Sequence, residues 1–252
     1  MLLAFPNTLL LLFFYATLWF IIAQWRKNNS LADVAWGLGF VVLSLYLWGF
    51  DPGFQRGLLT SFVTIWGLRL SIHIFNRNMK KAEDWRYVNM RQKWGQRQYL
   101  MAYLQVFILQ GTLLWIIAIP IFLPSPSDGY SLSIVQIIGT AFWLVGFLWE
   151  SIADWQLYQF KKDGKNKGKL MTQGLWAYSR HPNYFGEIVL WWGIFLFVLP
   201  WENSWLAVLS PLMITFLLTR VSGVPMLEAK YKEHKAYKAY IASTNALIPK
   251  FR

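Results

Sequence analysis

The sequence predicts an all-α, polytopic integral membrane protein of about seven transmembrane helices, with its N-terminus outside and its C-terminus in the cytoplasm. Three observations predict it. Hydrophobic residues make up 56% of the 252 and charged residues 14%, with a mean hydropathy of +0.34. Seven apolar runs recur along the chain, and about 20 such residues suffice to cross a bilayer. Lysine and arginine gather in alternate connections, the mark of short cytoplasmic loops.

The runs follow in order. Leu2–Ala23 lacks a basic leader and is longer than a signal peptide's apolar core, so it reads as a retained helix. Leu31–Phe50 carries an early acid, Asp33, and ends at the turn Asp51-Pro-Gly53. Leu58–Phe75 contains Arg69 and His73, whose spacing puts them on one helix face. A basic connection runs from Asn76 to Gln98, and Tyr99–Leu123 then closes at a Pro/Ser/Gly turn. The fifth run opens near Leu132, and its helix continues through Glu150, Asp154 and Tyr158 to the lysine-rich loop Lys161–Lys169. Phe185–Leu199 is the sixth run and Trp205–Thr219 the seventh, followed by a charged tail from Arg220 to Arg252. The segments at Arg26, Arg77–Arg97, Lys161–Arg180 and Arg220–Arg252 share one face, and the opposite loops hold Arg56 as their only cation. No polar linker interrupts the chain, so residues 1–252 read as a single domain, with 150–252 the richest in motifs.

Several functions are excluded. The net charge of +12 lies in these loops, which argues for membrane lipids and against nucleic acid. The chain has no cysteine, so disulfides, thiolate catalysis and cysteine-ligated metals are ruled out. His73, His181 and His234 stand too far apart for metal-ligand spacing, and no metal is expected. Neither a GxGxxG between strand and helix nor a GxxxxGK[ST] occurs, so any nucleotide must be held by another fold. Gly37 and Gly39 read as close-packing positions between membrane helices.

Ionisable side chains inside a span are costly and face protein or a water-filled cavity. Asp33, Arg69, His73 and Glu187 qualify. Asp33 reads equally as a solvated helix start or a buried acid, and His73 as a hydrogen-bonded structural residue or a reactive one. Glu150, Asp154 and Lys161 form a stripe along one helix, either a solvated end or a pocket wall. The densest group lies in Gly174–Glu187, where Arg180, His181, Asn183, Tyr184 and Glu187 fall within eight positions. Pro182 suits the first turn of a helix, and a helix N-terminus favours anions. With the lysines of 161–169 this points to a phosphate-bearing soluble ligand entering from the cytoplasm. Lipid headgroups account for the lysines but not for Asn183, Tyr184 and Glu187.

Gly174–Glu187, with Asp154 and Lys161 upstream and Ala246-Leu-Ile-Pro249 near the end, resembles the steroid 5-alpha-reductase family, closest to its bacterial branch. Asp33–Gly39 and Trp66–Arg69 share that resemblance. It implies a seven-helix membrane fold with a cytosol-facing NADPH pocket, and reduction of a carbon–carbon double bond conjugated to a carbonyl in a lipophilic substrate. Carried over by position, Asp154, Lys161, Lys169, Tyr178, Asn183 and Glu187 match cofactor-pocket residues. Arg220, Glu228 and Tyr231 match further ones in the tail. The steroid enzymes' glutamine–glutamate pair and tyrosine have no evident match in the second and third spans. The carbonyl-side group is therefore expected to be Asp33, with a pKa raised by burial, or His73.

Two other readings stand beside this one. Membrane methyltransferases of the isoprenylcysteine carboxyl and phospholipid types share an Arg-His-Pro-x-Tyr segment but use S-adenosylmethionine. A lipid-binding protein without catalysis would also present an aromatic, basic bundle.

Overall fold

The computed structural model of the chain describes residues 4–78, 81–125, 130–231 and 235–251, and the side chains of 7–78, 81–125, 130–229 and 236–251. Among the described residues the secondary structure is helical, with no strand. Among the described residues six helical runs are long and apolar enough to cross a membrane: Asn7–Trp25, Leu31–Trp48, Phe54–Asn78, Trp85–Ile117, Ile134–Lys162 and Ser204–Ala229. Pro182–Val198 is equally apolar in character but only 17 residues long. The chain divides into two compact units.

The first unit comprises Met1–Ser131 with Trp201–Leu206. It contains α1 (Ala4–Trp25), α2 (Leu31–Trp48), α3 (Phe54–Asn78), α4 (Trp85–Trp94), α5 (Gln98–Ala102), α6 (Leu109–Ile117) and α7 (Ile119–Phe122). α2 and α3 meet where side chains vanish. A Cβ on Gly37 would fall 2.5 Å from the Gly67 carbonyl oxygen, and one on Gly67 2.6 Å from that of Gly37. Ser71 fills the remaining gap by donating to the Val34 carbonyl at 2.9 Å. This is the close approach that small residues permit between membrane helices. Elsewhere Ala16, Ala23, Ala32, Tyr87, Val106 and Phe107 form a buried apolar cluster that joins α1 and α2 to the run beginning at α4.

The connection read as Asn76–Gln98 is shorter than its charge pattern predicts. α3 persists to Asn78 and α4 begins at Trp85. Asp84 caps α4 by accepting from the Arg86 backbone N–H at 3.0 Å, and Tyr87, Met90 and Trp94 give the helix an apolar face for the cluster. Seven-span counting thus misses the amphipathic start of the fourth run. Arg56, read as a loop cation, instead sits in the first turn of α3 with its side chain 3% exposed.

The second unit comprises Leu132–Pro200 with Ala207–Arg252. It contains α8 (Ile134–Lys162), α9 (Pro182–Val198), α10 (Leu209–Phe216), α11 (Val224–Tyr231) and α12 (Lys235–Ser243). α8 opens with a reciprocal box in which Ser133 and Gln136 satisfy each other's backbone donors. It then runs unbroken through Glu150, Asp154 and Tyr158, as its pattern predicts. Its partner is α9, and four glycines set the seam. Gly139 and Gly146 on α8, and Gly186 and Gly193 on α9, each have opposing backbone 2.4–2.5 Å from where a Cβ would stand. Both pairs are spaced by seven residues, the period that keeps one seam facing its partner along two helices. The expected tail after Thr219 is helical too: a π-helical turn, Leu217–Val221, leads into α11 and α12.

Candidate functional site

The second unit gathers most of the polar residues singled out above. The loop before α9 turns at Gly174, whose φ of +59° favours glycine, with the amide end of the Gln156 side chain packed against it. Gln156 Oε1 accepts from the Leu175 N–H at 2.9 Å. Trp176 then buries its ring and donates from Nε1 to the Ala153 carbonyl at 3.0 Å, fixing the loop on α8. The following residues are held by the segment 245–250. Arg180 N–H donates to the Asn245 carbonyl at 2.9 Å and His181 N–H to that of Ala246 at 3.0 Å. Lys250 N–H returns a bond to the Tyr178 carbonyl at 2.9 Å, and Ser179 Oγ donates to Leu247 O at 2.7 Å.

Pro182 starts α9 with His181 as its N-cap. Asn183, in the first turn, donates from Nδ2 to Asp154 Oδ1 on α8 at 3.1 Å. Its Oδ1 is buried with no hydrogen-bond partner. Such an orphaned acceptor is uncommon. Glu150 and Glu187 are both buried, on α8 and α9, with the Glu150 backbone against Gly186 in the glycine seam.

Arg180 is committed within the chain. Its Nη2 and Nε donate to Glu228 Oε1 at 2.6 and 3.0 Å, and Nη1 donates to the Thr244 carbonyl. His181 stacks on Tyr184, with ring centroids 5.4 Å apart and planes 8° from parallel. Its Nε2 stands 3.5 Å from Glu228 Oε1, too far for a useful hydrogen bond. Burial, aided by the Arg180 charge, lowers the imidazole pKa to about 4 against the pull of Glu228. His181 is therefore neutral at pH 7. Tyr240 donates to the Trp176 carbonyl, and burial raises its pKa.

The other expected cofactor residues lie at the surface. Lys161, Lys169 and Arg220 are exposed. Tyr178 is partly exposed and tilts against Phe251, with ring centroids 5.2 Å apart. Tyr231 ends α11, and its side chain lies outside the described residues, as does that of His234.

The first unit holds a second polar cluster, around Asp33 at the start of α2. Asp33 Oδ2 accepts from Arg86 Nη2 at 2.7 Å, and Oδ1 accepts from the Tyr87 hydroxyl at 2.6 Å. Its carboxylate is 14% exposed. A guanidinium and a phenol thus hold its two oxygens. Asp84 braces Arg86 through Nε at 2.9 Å. Burial acts to raise the Asp84 pKa, but the Arg86 bonds and charge outweigh it and hold the group below the usual carboxylate range. The Asp84 N–H in turn donates to Ser30 Oγ at 2.8 Å. His73 is partly buried on α3. Tyr87 escaped sequence reasoning because it lies in the basic connection, 54 residues from Asp33. Its one visible signal was an aromatic at helical spacing from Met90 and Trp94.

The comparisons with known proteins follow this geometry. The family model described as "Protein of unknown function (DUF1295)" matches residues 19–244. The chain belongs to the DUF1295 family. It is 26% identical over 216 residues to an uncharacterized protein of Schizosaccharomyces pombe, covering 75% of this chain and 63% of that one. It is 31% identical over 113 residues to rat (Rattus norvegicus) 3-oxo-5-alpha-steroid 4-dehydrogenase 1, covering 44% of this chain and 40% of the enzyme. The bovine (Bos taurus) protein of the same name matches at 40% over 55 residues, 22% of this chain and 21% of the enzyme. The chain thus spans less than two thirds of each of these relatives. No solved structure matches. These likenesses make this DUF1295 chain distantly similar, over less than half of its length, to proteins named 3-oxo-5-alpha-steroid 4-dehydrogenase 1.

Proposed function

We propose that the protein is a membrane-embedded reductase, dependent on NADPH, that reduces a carbon–carbon double bond conjugated to a carbonyl in a steroid-like or other lipophilic substrate. The observation that carries this reading is Asn183, joined to Asp154 through Nδ2 while its buried Oδ1 has no partner. An orphaned amide oxygen suits a ligand bearing amide N–H donors, and the nicotinamide carboxamide is one. The donor set fits in other respects: Asp154 steadies the amide, and exposed Lys161, Lys169 and Arg220 supply cations for phosphates. Glu187, Tyr178 and Tyr231 are assigned to the same pocket by resemblance, and Tyr184 by its place beside Asn183 in the motif. Arg180, His181 and Glu228 brace its wall.

When bound, NADPH would supply the hydride. Addition at the β-carbon leaves negative charge on the carbonyl oxygen, which positioned donors must stabilise. We assign that task to the Asp33 cluster, in which the Arg86 guanidinium is the donor and Asp33, itself held by the Tyr87 hydroxyl, orients it. The α-carbon then takes a proton. His73 is the other carbonyl-side candidate. The lysine- and arginine-rich connections face the cytoplasm in this reading, and the membrane is a bacterial inner membrane.

The test is thermal unfolding of the detergent-solubilised protein with NADPH, NADH or S-adenosylmethionine, since a ligand of the folded state raises its apparent stability. NADPH is expected to raise the midpoint, and Asn183→Ala or Glu187→Gln to diminish that rise. Asp33→Asn and Tyr87→Phe should keep the NADPH response and lose enone turnover. Stabilisation by S-adenosylmethionine alone would overturn the reading in favour of a methyltransferase.

A further inference from the structure

A cavity of the first unit lies far from the Asp33 cluster. It is about 400 Å³ in volume and touches both Tyr46, near the end of α2, and Asp51 beyond it. Asp33 lies at the other end of that helix, roughly 20 Å away at ~1.5 Å per residue. The volume is within the ~300–1,000 Å³ typical of small-molecule sites. One wall is apolar: Tyr46, Leu47, Phe50, Ile121, Phe122 and Pro124. Asp51, Arg56 and Ser125 form a polar pole.

That pole is a built feature. Arg56 carries its charge at a helix N-terminus, where the helix dipole disfavours a cation, so its burial there needs compensation. The carbonyls of Ile121 and Leu123 accept from it, and its guanidinium carbon lies 5.3 Å from the Trp201 ring centroid. Asp51 Oδ2 accepts from Arg56 Nη2 at 2.8 Å and Nε at 3.2 Å. The same oxygen accepts from Ser125 Oγ at 2.9 Å and Ser125 N–H at 3.3 Å. Burial acts to raise the Asp51 pKa, but the Arg56 and Ser125 bonds outweigh it and keep the carboxylate ionised. All four bonds go to Oδ2, so Oδ1 stands outside this network, on a side chain 45% exposed.

We propose that this cavity binds an aliphatic molecule with an uncharged hydrogen-bond-donating head, a medium-chain alcohol being the simplest, with the hydroxyl on Asp51 and the chain against the Leu47–Phe122 wall. The ion pair already sums to zero. A cationic head would compete with Arg56 for Asp51, and an anionic head would meet Asp51 directly. Either leaves a charge uncompensated in a partly buried site. A hydroxyl adds a donor without adding charge. The inference is independent of the cofactor reading, because the site shares no residue with it.

The experiment uses the full chain in nanodiscs of zwitterionic phospholipid. Three photoreactive probes carry the same diazirine-bearing decyl chain with a hydroxyl, carboxylate or ammonium head, and adducts are mapped by mass spectrometry. The alcohol should label 46–50 and 121–124 and be displaced by excess decanol, with the charged probes labelling about tenfold less, an affinity ratio worth ~1.4 kcal/mol. Leu47→Trp, which fills the cavity, should abolish the labelling, and Leu47→Met should retain it. Equal labelling by all three heads would overturn the proposal. So would adducts confined to the outward-facing Leu45 and Trp48 that decanol does not displace. If Leu47→Trp fails to fold, the head-group series and the decanol displacement on the unmodified chain decide.

Discussion

Substituting Gly186 on α9 tests whether the glycine seam of the second unit also sets its polar site. A Cβ there would lie 2.5 Å from the Glu150 backbone nitrogen, 2.7 Å from Gly146 O and 2.9 Å from Glu150 Cα. Normal contact is about 3.5–4.0 Å, so α8 and α9 must part by roughly 1 Å. Backbone atoms of two helices cannot rotate aside as a side-chain tip can. Overpacking of this kind costs about 1–3 kcal/mol, offset by up to ~1 kcal/mol from the better helix propensity of alanine. The net expectation for Gly186→Ala is a loss of about 1–2 kcal/mol, or roughly 2–8 °C in the midpoint for a chain of this size. Gly186→Leu should lose more. Gly164→Ala, where nothing lies within 4 Å of the added carbon, should stay within about 0.5 kcal/mol. The same 1 Å opening would stretch the Asn183–Asp154 bond from 3.1 Å to about 4 Å, beyond hydrogen-bonding range. Cofactor-induced stabilisation should therefore shrink with the midpoint. Both are read by tryptophan-fluorescence unfolding in detergent with and without NADPH. A Gly186→Ala protein with unchanged midpoint would refute the seam as the constraint, and one destabilised but fully responsive to NADPH would refute its link to the site.

Two other consequences concern the same unit. Arg180→Gln removes the cation that Glu228 and the Thr244 carbonyl share in a largely buried place, so a loss of about 3–5 kcal/mol is expected; limited proteolysis should then cut the chain between 224 and 250 first, and an unaltered cleavage pattern would contradict the tether. His181, with its pKa lowered to about 4, binds a proton less readily folded than unfolded. Stability on its account is full above pH ~6.5 and falls as the pH drops toward 4, by on the order of 2–3 kcal/mol. His181→Asn should flatten that part of a stability–pH profile measured by chemical denaturation, and an unchanged slope would show that another group controls it.

Much of the fold was legible because a bilayer leaves few options. Apolar runs at Leu2, Leu31, Leu58, Leu132 and Phe185 had to be helices, and Gly37 had to be a contact, since a chain short of side chains there gains only by close approach. The Gly139–Gly146 and Gly186–Gly193 spacing was equally visible but needed the pairing of α8 with α9 to acquire meaning. Charge patterning misled at Trp85–Trp94, where arginines on one face concealed an apolar face on the other. The Asp154–Asn183 pair was half legible: both residues stood out, but their hydrogen bond depends on how far α9 slides along α8. The Asp33–Arg86–Tyr87 cluster and the contacts of the Asp51–Arg56 pole with Ser125 and the 121–123 carbonyls were beyond reach because they depend on tertiary pairing. Each joins a helix end to a loop or later helix, and periodicity carries no information about such pairings.

The bonding of Ser179–His181 to the carbonyls of Thr244–Leu247 has a temporal side. Backbone donors of the motif before α9 take their acceptors from a segment more than 60 residues later. During synthesis α8 and α9 can insert and zip along their glycines well before those acceptors exist. Until the segment through residue 250 has emerged, the Arg180 side chain lacks the Thr244 carbonyl and the Arg180 and His181 amides lack their partners. The bundle can thus form first, while its polar end is shaped only once residues 244–250 have been made. A chain stalled or clipped within that stretch would keep its membrane helices and lack a finished site.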